Sequence, residues 1–445
     1  MKPVQEREMY SMKDYYKNME DSWVEFVSKN IRAQAYSGEE KATSEVFMQA
    51  MDELGIEHFR DECGNVVGVI RGEGDGPNVL LTGHMDVVPE GSIDAWSPYL
   101  PFEPKVEDGK LYGRGISDML AGLTSEFFAF MEIKKLVDAG AKILGNLIFA
   151  AVVYEEPAES IGTIYLMEHT LPEHGLDVDL CYLGEPSDGN IAIGQRGKIE
   201  LVIEVYGKVA HSSAPQEGIN AVEKALPIMD AIMHNFGSEP LVHEMGKTSM
   251  VITDVVVTPG QKYSCVPDYC EITVDQRYVP PMTIEDTVSR VQKFLDEQKK
   301  KDPELRAVVH PRMNKRTCYT GYEAEAAKQH PVWVTGKDNE YVELTYRTLK
   351  ELGQDVEKMY WQFGTDGSVI CGKYNIPTIG YSGAMMSQAH QAQEHVEIDR
   401  ILDCILRFSA GCMDWICRNK GLHGTAYFDT IMLQVRKHRA QFIRK

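Results

Sequence analysis

Four nearly uninterrupted apolar runs, NVVGVI, NVLLTG, NLIFAAVVY and VDLCYLG, restrict what this chain can fold into. Strands apolar on successive residues must be covered on both faces, as in parallel sheets. Between the second and third run lies DMLAGLTSEFFAFMEIKKLVDAG, which has helical apolar spacing and a glycine stop. The alternation predicts an α/β architecture, a mainly parallel sheet with helices on both faces. Ligands of such sheets gather beyond the carboxyl ends of the strands. Two amphipathic helices are predicted ahead of the first run, from about Asp14 to Gly55.

From Lys198 the period changes. KIELVIEVYG alternates as a strand, INAVEKALPIMDAIMHNF reads as a helix, and TSMVITDVVV and YCEITVDQRYV as strands. TIEDTVSRVQKFLDEQKKK is a second helix and ELRAVVH a last strand. The order βαββαβ is that of a ferredoxin-like α+β unit. After His310 the chain is expected to return to the first sheet. At 445 residues a single core is unexpected. The expected division is a larger domain over 1–196 and 311–445, interrupted by a smaller inserted domain over 197–310. The basic tail from Arg418 reads as a solvated helical extension.

The net charge, 46 basic minus 67 acidic residues or -21, argues against nucleic acid or an anionic membrane as partner. No stretch is long and apolar enough to span a bilayer, and the charged opening MKPVQEREMYSMKDYY lacks the apolar segment of a signal peptide. A cytoplasmic location is the expectation. The nine cysteines are scattered, the closest couples being Cys265 with Cys270 and Cys412 with Cys417, and read as free thiols of a reducing compartment.

Seven acidic and imidazole groups fall where the apolar runs end: His84 and Asp86 in TGHMDVVP, Asp118 in GRGISDMLAG, Glu155 and Glu156 in VVYEEP, Glu185 in LGEPS and His390 in SQAHQAQEH. A set of carboxylates and imidazoles without sulfur suits zinc or a similar divalent ion that activates water. His84 and Asp86, two apart, point the same way on extended backbone. Asp86 is either a ligand or the partner that fixes the His84 tautomer. Asp118 begins a helix and by itself reads as an N-cap as readily as a ligand bridging two cations. The adjacent Glu155 and Glu156 are costly at a buried strand end without a compensating cation or proton. One can ligate while the other reaches water as a general base. Glu185 and His390 can supply a second ion.

With these motifs in place, the chain resembles the M20 family of metallopeptidases and amidohydrolases over nearly its whole length. The resemblance implies two divalent ions, most readily Zn2+ with Co2+ or Mn2+ as alternatives. They would be held by His84, Asp118, Glu156, Glu185 and His390, with Asp118 bridging and often followed by a cis peptide. Glu155 would be the general base, and Asp86 would orient His84. The inserted domain is similar to the family's lid, which also forms homodimers. In VAHSSAPQEGINAV, His211 matches a lid histidine that polarises the scissile carbonyl, often across the dimer interface. Asn220 and Arg277 match lid positions that contact substrate.

FGTDGSVICG resembles the family loop GTSDGR, but Ser368 stands where its arginine grips a substrate carboxylate. A serine cannot supply that bidentate fork. Gly364 and Thr365 remain as pocket-lining candidates. GQRGKIEL and RTCYTGYEAEAAKQHPVW resemble the selenium-metabolism-associated hydrolase branch. The function expected is hydrolysis of an amide C–N bond in a small polar molecule by a deacylase or aminoacylase-type enzyme. A di-, amino- or carboxypeptidase of the same family is the alternative. A non-catalytic metal- or small-molecule-binding protein and a cysteine-nucleophile amidase are the competitors from other classes.

Overall fold

The computed structural model describes residues 12–260 and 263–416. The basic tail from Arg418 and Cys417 lie outside the described residues. The first sheet follows the order Glu57–Arg60, Val66–Ile70, Leu147–Val152, Val79–His84, Leu180–Leu183, Thr378–Gly380, Ile191–Gln195 and Trp333–Val334, and Lys358–Trp361 also pairs with Ile191–Gln195. Its four central strands, from Leu147–Val152 to Thr378–Gly380, are mutually parallel. The flanking pairs are antiparallel, apart from the parallel Lys358–Trp361, so the sheet is mixed around a parallel centre.

Residues alternate across this sheet as the unbroken apolar runs require. Val79, Leu81, Phe149 and Tyr182 pack in a core with Phe47, Phe127 and Phe408 from the helices Lys41–Glu53, Ala121–Asp138 and Ile398–Ile416. Leu80, Ile148 and Cys181 face the other way, against Leu166, Leu171 and Ile370. The two predicted amino-terminal helices are Met12–Arg32 and Lys41–Glu53.

The second sheet begins at Gly197. Its strands Gly197–Tyr206, Ser249–Thr258, Tyr269–Tyr278 and Arg306–Pro311, with the helices Ala221–Met233 and Ile284–Lys301, follow the order βαββαβ. They align as fourth, first, third, second, all antiparallel, which is the ferredoxin-like arrangement. A short strand, Gln329–His330, also pairs with Gly197–Tyr206 before the chain rejoins the first sheet at Trp333. Helix Ile284–Lys301 starts on a capping box between Thr283 and Asp286.

The candidate metal centre

His84 ends its strand, and Glu155 and Glu185 lie just past the ends of the two neighbouring parallel strands. The parallel centre therefore delivers three of the seven groups to one edge of the sheet. Asp118 arrives from a loop. Gly115 turns the chain at φ 81°, a left-handed conformation that glycine adopts freely. Asp118 and Met119 are then non-helical, and the helix proper starts at Ala121. Asp118 therefore does not act as the cap, and the peptide after it is cis. The helix can start this close to the sheet because Gly122 meets Gly184; a Cβ on Gly122 would lie 1.7 Å from the Gly184 carbonyl oxygen.

Around this edge the side chains form two overlapping groups. His84 Nε2 lies 3.3 Å from Asp118 Oδ1, 3.7 Å from Glu185 Oε1 and 3.9 Å from Glu155 Oε2. His390 Nε2 lies 3.2 Å from Asp118 Oδ2 and 3.1 Å from Glu156 Oε2. Asp118 thus presents one oxygen to each imidazole. The sets His84–Asp118–Glu156 and His84–Glu155–Glu185 each bring three donor atoms within 4.8 Å of one another.

The His84 ring is oriented by Asp86, through its backbone. His84 Nδ1 is 2.8 Å from the Asp86 carbonyl, which can only accept, so Nδ1 carries the hydrogen and Nε2 is free to bind a cation. The Asp86 carboxylate is 3.7 Å from that ring and is used elsewhere. It accepts hydrogen bonds from the backbone N–H groups of Glu155 and Glu156 at 3.2 Å each, and from the Ser37 hydroxyl at 2.6 Å.

Charge in this cluster is badly balanced for a buried place. Burial, then neighbouring acids, raises the carboxyl groups of Glu155, Glu156 and Glu185. Burial alone would raise Asp118 too, but the His390 and His84 imidazoles outweigh it and hold it low. Burial pulls His84 down, yet Asp118, Glu185 and Glu155 together raise it well above the usual imidazole range. Asp118 and Glu156 lift His390 to about 10. These surroundings stabilise positive charge at both imidazoles. His84 Nε2 and Glu156 Oε1 are buried without a hydrogen-bond partner. The donor set fits two divalent cations, which would satisfy these atoms and offset the carboxylates.

Sequence reasoning missed three buried residues here. Glu394 accepts hydrogen bonds from Arg114 Nη1 at 2.8 Å and from the backbone N–H groups of Gly115 at 2.9 Å, Ser117 at 2.6 Å and Asp118 at 3.0 Å. It holds the Asp118 loop in shape; its place four residues after His390 was the available signal. His330 has Nε2 3.7 Å from Glu155 Oε1, and burial pushes it down to about 3, so it is neutral. Asp366, raised to about 6 by burial, adds to the negative potential at Glu155 and Glu185.

The remaining candidates lie apart from the cluster or serve local structure. His211 is exposed, its Nδ1 2.7 Å from Ser213 Oγ. Asn220 caps the helix Ala221–Met233, accepting from the N–H of Val222 and Glu223. Arg277 Nε donates to Asp275 at 2.7 Å. Gly364 makes room for His330, whose Nδ1 would sit 1.8 Å from a Cβ there. The Thr365 hydroxyl donates to Gln195 at 2.5 Å. Ser368 is fully buried in the short helix Gly367–Ile370.

The profile of Peptidase family M20/M25/M40 matches residues 80–410, which contain every member of the cluster. The chain belongs to this family, whose members hydrolyse peptide and other amide bonds. It is 28% identical over 411 residues to the uncharacterized protein YgeY of Escherichia coli strain K12, covering 91% of this chain and 96% of that protein. It is 30% identical over 227 residues to succinyl-diaminopimelate desuccinylase of Acinetobacter baumannii strain AYE, covering 50% of this chain and 58% of the relative. Among solved structures, aminopeptidase PepT from Bacillus cereus aligns with a TM-score of 0.66 at 18% identity, over 89% of this chain and 99% of that one. YXEP of Bacillus subtilis, described as a dinuclear metal-binding peptidase, aligns with a TM-score of 0.62 at 14% identity, over 89% and 99%. These two share the fold.

Proposed function

We propose that this hydrolase holds two divalent ions and cleaves an amide bond in a small polar substrate as a deacylase or aminoacylase-type enzyme. The observation that carries the reading is the Asp118 carboxylate, which divides its oxygens between His84 and His390, each beside a further carboxylate. His84, Asp118 and Glu185 would hold one ion, and Asp118, Glu156 and His390 the other. Imidazole and carboxylate donors without sulfur favour zinc, with cobalt and manganese next. Two such ions, once bound, supply Lewis acidity and a lowered pKa for water.

Glu155 is the acid and base. Its carboxyl is buried and raised, as suits a group that gains and returns a proton near neutral pH. It takes the proton of the attacking water and delivers it to the leaving nitrogen. Asp86 keeps the Glu155–Glu156 backbone in place, and neutral His330 flanks the base. His211, exposed and held against Ser213, would polarise the scissile carbonyl from a second copy. A homodimer is supported by the edge strand Ser249–Thr258, which exposes Val251, Val255 and Val256. The sheet beginning at 197 would then act as both lid and dimer interface. The partial likeness to a desuccinylase favours an acyl substrate over a peptide. The eight free cysteines among the described residues support a cytoplasmic location.

Glu155→Gln separates binding from chemistry. It is expected to retain two equivalents of zinc by elemental analysis and to lose amide hydrolysis by roughly 10²-fold or more. Hydrolysis at the wild-type rate would remove Glu155 from this role.

A further inference from the structure

The segment that carries the general base has a strained backbone. Tyr154, Ala158 and Ser160 stand at φ 59°, 67° and 49°, in the left-handed region, and none of the three is glycine. Such conformations are costly for a residue with a Cβ and persist only where the surroundings fix them. Glu155 and Glu156 follow directly on the first of these residues. The turn at Tyr154 therefore decides where both carboxylates leave the end of strand Leu147–Val152.

What fixes the segment is a hairpin outside both large sheets. Among the described residues, strands Met313–Thr317 and Glu323–Ala327 pair with each other and join neither sheet. Their side of the chain bonds to the base segment instead. The Tyr154 phenol donates to the Thr317 carbonyl at 2.9 Å, and the Tyr154 N–H donates to Glu40 at 3.3 Å. Buried Glu159 accepts from Asn314 Nδ2 at 2.6 Å and from Arg316 Nε and Nη2 at 3.1 and 3.0 Å. Just past the hairpin, the Gln329 N–H donates to the Ala158 carbonyl at 2.9 Å. His330 Nε2 then lies 3.7 Å from Glu155 Oε1. The stretch from Asn314 to His330, which holds most of RTCYTGYEAEAAKQHPVW, thus grips the segment at its start, middle and end.

From this geometry we infer that the hairpin is a clamp on the general base and that Tyr154 is a positioning residue for the reaction. The inference rests on Glu155 acting as the base and adds what aims it. Tyr154 works through the backbone: its hydroxyl ties the residue before Glu155 to the Thr317 carbonyl and keeps the left-handed turn from relaxing. Glu156, as a ligand, would gain a cation as a second anchor, whereas Glu155 depends on the segment. A displacement of about 1 Å at a reacting group costs on the order of 10²-fold in rate. Loss of the tether therefore falls on turnover rather than on binding.

Two measurements on the zinc-loaded protein test this, with Tyr154→Phe as the variant and Tyr319→Phe as its control. Tyr319 makes the same kind of bond from the same hairpin, but its phenol donates to the Gly64 carbonyl at 2.7 Å instead of to the base segment. The first measurement is kinetic, on the best-cleaved member of a panel of N-acetyl amino acids and dipeptides. Tyr154→Phe is expected to lower kcat by about 10–100-fold with KM within about 3-fold, and Tyr319→Phe to stay within about 3-fold in both. The second is backbone hydrogen exchange over 154–160, with melting curves to confirm folding. Tyr154→Phe is expected to speed exchange at Glu155 and Glu156 by about 10-fold, and Tyr319→Phe to leave it within about 3-fold. Equal losses of kcat in the two variants, unchanged exchange in Tyr154→Phe, or faster exchange with wild-type kcat overturns the assignment. If the wild type cleaves no member of the panel while Tyr154→Phe exchanges faster, the proposed substrates fall and the clamp stands.

Discussion

The edge of the first sheet and the outer face of the second both gather charged side chains, but they balance them differently. At the strand ends, Asp118, Glu155, Glu156 and Glu185 crowd around two imidazoles, and the central nitrogen of His84 finds no hydrogen bond. On the inserted sheet acids and bases are interleaved: Arg312 pairs with Glu200 and Glu271, Arg277 with Asp275. The first arrangement has an excess of buried acid, which bound cations or protons would offset. The second pairs its acids and bases within the chain. Mutual pairing marks a structural face, and unbalanced burial marks one that works on something outside the chain.

Removing metal should strain this contrast most. Chelation is expected to abolish amide hydrolysis, and zinc to restore it. In the stripped protein the sign of the pH dependence is fixed by the shifts. Raised carboxyls such as Glu155 and Glu185 bind more protons folded than unfolded, so their contribution falls as pH climbs above the ordinary 4.5. His390, raised to about 10 from 6.5, adds stability below 6.5 that is lost progressively towards 10. Both slopes run the same way. The melting temperature of the metal-free protein should therefore fall from pH 6 to pH 9, and more steeply than that of the zinc-loaded protein. Parallel curves would mean that the acid cluster is not what the cations compensate.

A smaller effect is expected from Glu394→Gln, which removes a carboxylate from four donors without emptying its place. The Asp118 loop should loosen, with metal affinity falling by about 10–100-fold, read by competition with a chelating dye. Unchanged affinity would show that Gly115–Leu120 holds its own shape. The smallest effect belongs to Ser368→Ala. Its hydroxyl is buried without a hydrogen-bond partner, so kcat/KM should stay within about 2-fold of wild type and stability within about 1 kcal/mol. A large loss would return Ser368 to the substrate pocket.

What the sequence discloses follows from periodicity. His84, Glu155 and Glu185 are legible because each ends an unbroken apolar run, and parallel strands bring such ends together. The ferredoxin-like insert is legible because its strands alternate. Asp118 reads equally as a helix cap; only the turn at Gly115 and the contact of Gly122 with Gly184 carry its side chain to the imidazoles. The use of the Asp86 carbonyl in place of its carboxylate cannot be inferred from an HxD spacing, which names residues and not atoms. His330 and Asp366 sit on short segments with no pattern of their own, and Glu394 is signalled only by its spacing from His390. Their positions come from the way the chain returns after the insert.

That return has a consequence for how the molecule is made. Thr378–Gly380 lies between Leu180–Leu183 and Ile191–Gln195, segments made almost two hundred residues earlier. As the nascent polypeptide emerges, the first sheet must wait with a gap at its middle while the whole insert is translated. The last imidazole, His390, follows only ten residues after the strand that fills the gap. The candidate centre is therefore complete only after the strand that closes the sheet has been made.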